Sequence, residues 1–297
     1  MKTVALVDGA LDPSELAMLR AGQELSGAEC ALDSLETIEP AELAAVITDP
    51  AVRQQLVRAL VIMSLVDQEA DRGEVACIEA FARALAVETN TIPTIRKLSK
   101  GYNRLVRLDI IRRFWAVDKI REKVREGGLG ELWKTVLAAL RRYEDPALAE
   151  RYRALGSLPS GTLGRAYHDA MREDGFPLPG EQGAAPETIT YHDMAHVLGG
   201  YGTTPDEEVL VASFSAGFRQ RNPMTFVLFV ICQFHLGLQT APGVPPERGY
   251  FDPRTALSAI RRGADMNIDL SDGWEYWDVI DRPLEELRAR YNIQPRE

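Results

Sequence analysis

The sequence predicts an all-α protein of two helical domains, spanning 1–130 and 137–297. Three observations carry that expectation. Helix-start chemistry recurs, with Asp49-Pro50 and Thr204-Pro205-Asp206-Glu207 each placing a capping side chain before a proline at the first helical position. Apolar residues after these starts follow a helical period. A chain of 297 residues can bury more than one core, so two domains fit its length.

Taken in order, residues 1–12 read as a short strand or extended arm, and a helix follows over Pro13–Leu25. Asp49-Pro50 opens an amphipathic helix, Ala51–Val66, and a second runs from Glu74 to Val87. The acidic loop between them, Asp67 to Glu74, lacks the central glycine and twelve-residue span of a calcium loop, so helix capping is its ordinary reading. Segment 96–126 carries eleven Lys or Arg against four Asp or Glu, with Tyr102, Phe114 and Trp115 interleaved. A solvated helix face is its default reading. Its functional version is peripheral docking on an anionic membrane surface, where each basic residue contributes about 1 kcal/mol. The Pro- and Gly-rich stretch Phe176–Pro186 marks a long loop that either gates a site or is plain surface. Phe226–Ile231 is apolar on all sides, a core helix or the wall of an apolar tunnel, and His235 beyond it reads as a core histidine. A second turn signal, Pro242–Pro246, precedes the closing segment.

Bulk properties narrow the class. A formal net charge of −10 argues against a general nucleic-acid binder. Cys30, Cys77 and Cys232 lie far apart and form neither a zinc-type pair nor a disulfide framework, which suits a reducing compartment. The first eight residues are too short an apolar stretch for a signal peptide. The longest apolar run, from Met224 to Leu238, is broken by Gln233 and His235 and falls short of the roughly 20 residues that a membrane span requires. The expected location is cytoplasmic, peripheral to the inner face of the membrane.

The chemistry concentrates near residue 192. His192-Asp193-Met194-Ala195-His196 is followed, after eleven residues, by Glu208, and two of the chain's four histidines stand in this motif. On an α-helix with His192 at zero, His196 lies at about 40° and Asp193 at about 100°, so all three leave one arc. Gly199-Gly200 supply a helix stop and, at about −20° and 80°, leave room beside a metal. Thr204-Pro205-Asp206-Glu207 then starts a second helix, with Glu207 closing a capping box and Glu208 facing its neighbour. Imidazole and carboxylate together suit a borderline divalent ion, and His192, Asp193, His196 and Glu208 form the candidate metal and catalytic set. Zinc is foremost, with magnesium, iron or another divalent ion also compatible. His168-Asp169 repeats the dipeptide without a second histidine and reads as a helix-surface pair.

The His-Asp-x-x-His motif with glutamate after eleven residues resembles the signature of the coenzyme Q (ubiquinone) biosynthesis protein 4 family. Gly161–Tyr167, Arg221–Met224, Arg262–Asp265, Asp269-Leu270, Trp274-Glu275 and Pro283–Arg288 are similar to other segments of that family, over about 137–297. The chain departs from the family just before the motif, at Thr188–Tyr191. The resemblance implies an all-helical protein that binds a divalent metal and an isoprenoid-bearing ligand. It further implies removal of the ring carboxylate of a prenylated aromatic precursor, with hydroxylation at the same carbon, or alternatively a non-catalytic lipid-binding scaffold. A related enzyme of bacterial secondary metabolism is a further variant, and a homo-oligomer stays open. Residues 50–125 weakly resemble tellurite-resistance TerB-like domains, on the helix–acidic loop–helix pattern.

Overall fold

The structure is a computed structural model that describes residues 1–9, 11–114, 144–240 and 244–296. Fourteen α-helices and no β-strand occur among these residues. In chain order they are α1 (Lys2–Ala5), α2 (Pro13–Ser26), α3 (Pro40–Val46), α4 (Pro50–Met63), α5 (Arg72–Ala84), α6 (Thr91–Ser99), α7 (Asn103–Phe114), α8 (Pro146–Arg153), α9 (Leu163–Glu173), α10 (Thr190–Gly199), α11 (Pro205–Phe218), α12 (Met224–Val230), α13 (Pro253–Ala264) and α14 (Leu284–Arg290). The all-α expectation holds. Residues 115–126 of the basic segment, and the expected boundary between 130 and 137, lie outside the described residues. No described helix is long and apolar enough to cross a membrane.

The chain forms two compact units, each discontinuous in sequence: Met1–Ile111 with Met224–Arg261, and Arg112–Pro223 with Arg262–Glu297. The sequence offers one boundary, whereas the units are assembled from two stretches each. The cause is the apolar run, which belongs to the first unit and is buried there at Phe226, Val227, Leu228, Val230 and Ile231.

In the first unit, α1 stands where the sequence predicts a strand or arm. Val4 and Ala5 are consecutive and both fully buried, a pattern one helical turn allows and an alternating strand does not. Asp12 and Glu15 cap α2 reciprocally, with Asp12 accepting from the Ser14 N–H at 2.7 Å and Glu15 from the Asp12 N–H at 2.8 Å. Asp49 and Asp71 cap α4 and α5, so capping is what the acidic loop does at Asp71. Each such cap contributes about 1 kcal/mol. Beyond α12 the chain makes one π-helical turn, Ile231–His235. Its polar residues are fully engaged. Gln233 donates to the Val244 and Pro245 carbonyls at 3.0 and 2.9 Å, and His235 joins the Val66 carbonyl at 3.0 Å and the Phe251 N–H at 3.2 Å. His235 is thus a core histidine, neutral because both ring nitrogens are committed in a buried setting that lowers its pKa.

Two buried carboxyls of this unit oppose each other. Glu15 and Glu74 are 3 % and 4 % exposed. Burial first, then the charges of Asp67, Glu15 and Asp71, pushes Glu74 up to about 8. The folded state therefore binds this proton more tightly than the unfolded chain, whose value is near 4.5. The stability it supplies is full below the unfolded value and is lost as pH rises through the folded one. Glu74→Gln, which is uncharged at every pH, should melt above the parent at pH 8 and lose that advantage towards pH 4.5. Thermal denaturation across this range checks it, and a pH-independent difference would contradict the assignment.

In the second unit, Asp145 caps α8, and the long loop before α10 is tied down rather than loose. Glu181 accepts from the Leu178 N–H at 2.9 Å and pairs with Arg172 and Arg153, contacts that hold its carboxyl at about 2 against the opposing cost of burial. Gly180 takes φ +90 and touches α8 so closely that a Cβ would lie 2.6 Å from the Ala149 nitrogen. Gly263, near the end of α13, meets α11 backbone to backbone, where a Cβ would fall 2.0 Å from the Phe214 carbonyl oxygen. Neither backbone can retreat without unpacking α11. Gly263→Ala should cost about 1–3 kcal/mol of stability, readable as a lower urea midpoint.

Candidate metal centre

The motif lies on α10, as its spacing predicts. The helix stops at Gly200, which takes φ +69, and the Tyr201 N–H returns to the His196 carbonyl at 2.9 Å. Gly199 does a different job from the one its position suggests. A Cβ there would lie 2.6 Å from the Tyr201 ring, so it makes room for that ring and not for a metal. Three arginines satisfy the helix's last carbonyls. Arg288 donates to Val197 and Leu198 at 3.1 and 3.0 Å, Arg262 to Gly199 at 2.8 Å, and Arg296 to Gly200 at 2.8 Å. Their positive charge at the negative end of the helix dipole is favourable as well.

Across the short connector, α11 brings Glu208 to the histidines. One ligand atom each from His192, His196 and Glu208 lies within 4.8 Å of the others. The two Nε2 atoms are 3.3 Å apart, and each is 3.6 Å from a Glu208 oxygen. Ligands held at about 2.0–2.1 Å around a tetrahedral ion stand roughly 3.3–3.4 Å apart, so each of these approaches is close to what such a site requires, the two 3.6 Å contacts being made by different oxygens of Glu208. His196 is oriented by its other nitrogen, with Nδ1 2.9 Å from the Gly202 carbonyl oxygen. A carbonyl only accepts, so Nδ1 carries the proton and the Nε2 lone pair faces Glu208. Side-chain exposures of 16 %, 11 % and 25 % for His192, His196 and Glu208 leave a partial opening to the outside.

Asp193, the fourth residue of the predicted set, is not in this group of three. At i+1 its side chain leaves the helix about 100° from His192, against about 40° for His196. Its charge acts on Tyr167 of α9, which faces the same stretch of α10. Burial, partly offset by His192 and reinforced by Glu208, raises Asp193 to about 6. Thr190 also lies on this side, close enough to influence Tyr167, although the buried Tyr167 hydroxyl makes no contact of hydrogen-bond geometry. Beside it, the Tyr152 and Tyr276 hydroxyls meet at 2.7 Å, and both approach Glu187 Oε1, at 3.1 and 3.3 Å.

The triad's own electrostatics point to a cation. Burial disfavours a charged His192, but the Glu208 carboxylate outweighs it and the pKa rises. Burial and the charge of His192 lower His196. Burial raises Glu208, yet its hydrogen bond to His192 and the charges of both imidazoles bring it below the usual value. The Glu208 carboxylate thus favours a positive charge on His192. A divalent ion would supply positive charge at the same place. His192, His196 and Glu208 fit such an ion, with room for a further ligand.

The support beneath His196 is a chain of contacts. The sequence assigns Glu207 to a capping box, but the Thr204 side chain makes no cap bond. Glu207 instead accepts from the Gly202 N–H at 2.9 Å and holds Arg296 through two contacts of 2.8 Å, which lower its pKa. Gly202 is thus gripped on its N–H by Glu207 and grips His196 with its carbonyl. His168 behaves as expected, bonded to Asp169 at 3.1 Å and apart from the triad.

The arginines of 262–296, and Tyr191 with Arg219, carry no local signal in the sequence, because their partners lie 28 to 96 residues away. The chain matches no family model and no curated protein. The chemistry of the site rests on its donors. Glu207→Gln keeps all three of them yet loosens Gly202, so metal affinity should fall about 10- to 100-fold, measured by competition with a chelator. Unchanged affinity would mean that the clamp does not orient His196.

Proposed function

We propose that this protein is a metal-dependent enzyme acting on a prenylated or otherwise apolar aromatic acid. The proposed reaction is loss of the ring carboxylate, oxidative or simple, in ubiquinone-type biosynthesis. The observation that carries the enzyme reading is the approach of His192, His196 and Glu208 to within 4.8 Å at a partly open position. A structural site closes around its ion with four protein ligands, whereas three leave a place for substrate or water. The bound ion would supply Lewis acidity to a carboxylate or phenolate oxygen. The aromatic and isoprenoid character of the substrate is supported by the motif's resemblance to the coenzyme Q biosynthesis protein 4 family.

The residues around the triad have work in such a reaction. His196 is held in one tautomer by Gly202, so its lone pair is in place before a ligand arrives. Asp193, at about 6, takes up or gives a proton near neutral pH beside the centre. In simple decarboxylation the ring carbon accepts a proton as carbon dioxide leaves, and Asp193 is the candidate donor.

Delivery of a bilayer-resident substrate is proposed through the basic segment 96–126. Its described part exposes Tyr102, Leu105 and Leu108 at 54 %, 48 % and 62 %. Some of its charge is already committed, Arg96 to Glu79 and Lys97 to Asp109.

The deciding experiment pairs elemental analysis with turnover. The purified chain should carry close to one divalent ion, and mass spectrometry of the same sample should find an apolar aromatic or isoprenoid ligand. His196→Ala should lose the metal and abolish release of carbon dioxide from a prenylated aromatic acid. Undiminished release by that variant would remove the metal from the proposed chemistry, and a metal-loaded parent chain that releases none would leave a binding scaffold.

A further inference from the structure

One guanidinium closes the connector between α10 and α11 at both ends. Arg296 donates through Nη1 to the Gly200 carbonyl and through Nη1 and Nη2 to the two Glu207 oxygens, each at 2.8 Å. Its charge also stands 4.7 Å from the Tyr201 ring centre. Inside that clasp, Glu207 Oε2 accepts from the Gly202 N–H at 2.9 Å, and the Gly202 carbonyl accepts from His196 Nδ1 at 2.9 Å. Arg296, Glu207, Gly202 and His196 thus form one unbroken line from the surface to a metal-ligand imidazole. The segment that carries Arg296 is held unevenly. Ile293 is 7 % exposed and its N–H meets the Arg288 carbonyl at 2.8 Å, while Asn292, at φ +56, donates to the Asp265 carbonyl at 2.6 Å. Past this anchored bend, Gln294, Pro295 and Arg296 are all exposed. Arg262 holds the Gln294 carbonyl and Pro295 stiffens the next step, so Arg296 reaches the connector on a short lever.

We propose that Arg296 is a positioning residue for the metal centre, and that segment 292–296 is a latch that retains a divalent ion there. The proposal rests on the metal reading above and adds what governs the ion's release. An ion pair whose arginine is 37 % exposed competes with water and opens far more readily than the buried contact of Ile293. When it opens, Glu207 loses the cation that fixes it, and the Gly202 N–H is left to a carboxylate free to swing. The His196 ring then regains freedom to turn its Nε2 away from the ion. Conversely, an ion bound at Nε2 holds the ring, and through it Gly202 and Glu207, in the arrangement that Arg296 grips. The coupling is reciprocal: the closed latch tightens metal binding, and a bound metal favours the closed latch by a comparable factor.

The test uses the full chain loaded with cobalt(II), whose visible absorbance reports its loss to a chelator. Arg296→Gln should bind cobalt about fivefold or more weakly, chiefly through faster release. Arg296→Lys should regain part of that affinity, since an ammonium is a point charge where the guanidinium is a fork that meets both Glu207 oxygens. A second measurement needs no variant and decides the matter should Arg296→Gln fail to fold. Phenylglyoxal modifies an arginine whose guanidinium is released from its partners, and peptide mass spectrometry locates the product. Cobalt loading of the parent should slow modification of Arg296 about fivefold and leave Arg254, whose side chain is 78 % exposed, unchanged. Cobalt affinity in Arg296→Gln within about twofold of the parent overturns the latch, as does labelling of Arg296 that is indifferent to cobalt, and either result leaves the metal reading standing. A parent chain that takes up no cobalt overturns the metal reading itself, and this proposal with it.

Discussion

Two imidazole nitrogens and a carboxylate face one another across 3.3 to 3.6 Å, and that crowding of electron pairs governs the second unit of this protein. Three acceptors at such distances repel unless a positive species stands among them. The opposite shifts of the two histidines express this, one drawn towards a proton by Glu208 and the other pushed away from it. The fold spends several otherwise unremarkable residues on sustaining the crowding. Gly202 fixes one imidazole, Glu207 fixes Gly202, and Arg296 fixes Glu207. The rigidity of the centre therefore comes from backbone groups and ion pairs outside it.

The same economy explains the two sides of α10. Its histidines meet Glu208 of α11, while the charge of Asp193 also reaches Tyr167, which stacks near Tyr152 of the Tyr152–Tyr276–Glu187 triangle. Of the motif's three residues on α10, the two histidines stand nearer each other than either does to Glu208 beyond the helix. One face suits a cation and the other can handle a proton.

Much of the site was legible in the residues because its determinants are local. Histidines at i and i+4 must share a helix face, a glycine pair must end that helix, and Thr204-Pro205 must begin another, which fixes Glu208 to within a turn. Asp193 falls outside the group of three for an equally local reason, since it stands about 100° from His192 where His196 stands about 40° away. Glu207 reads as pairing with a residue three positions away, but its partners are Gly202 and Arg296, and the second depends on how the chain returns. Gly199 was assigned space beside a metal, and it was Tyr201 that needed the space. At the amino end, a short apolar stretch suited strand and helix alike, and burial of two consecutive residues decided for helix α1. The composition of the units was out of reach altogether, because whether 224–261 joins one core or another is a matter of tertiary contact.

The arginine grip on α10 has a consequence in time. Arg262, Arg288 and Arg296 lie 63 to 96 residues beyond the carbonyls they hold. During synthesis the motif helix leaves the ribosome well before these residues exist, and loops of that length close late. The imidazoles and Glu208 are therefore held firmly in place only near completion of the unit. Any preference of this group among metal ions would then be set after folding rather than while the motif is being made.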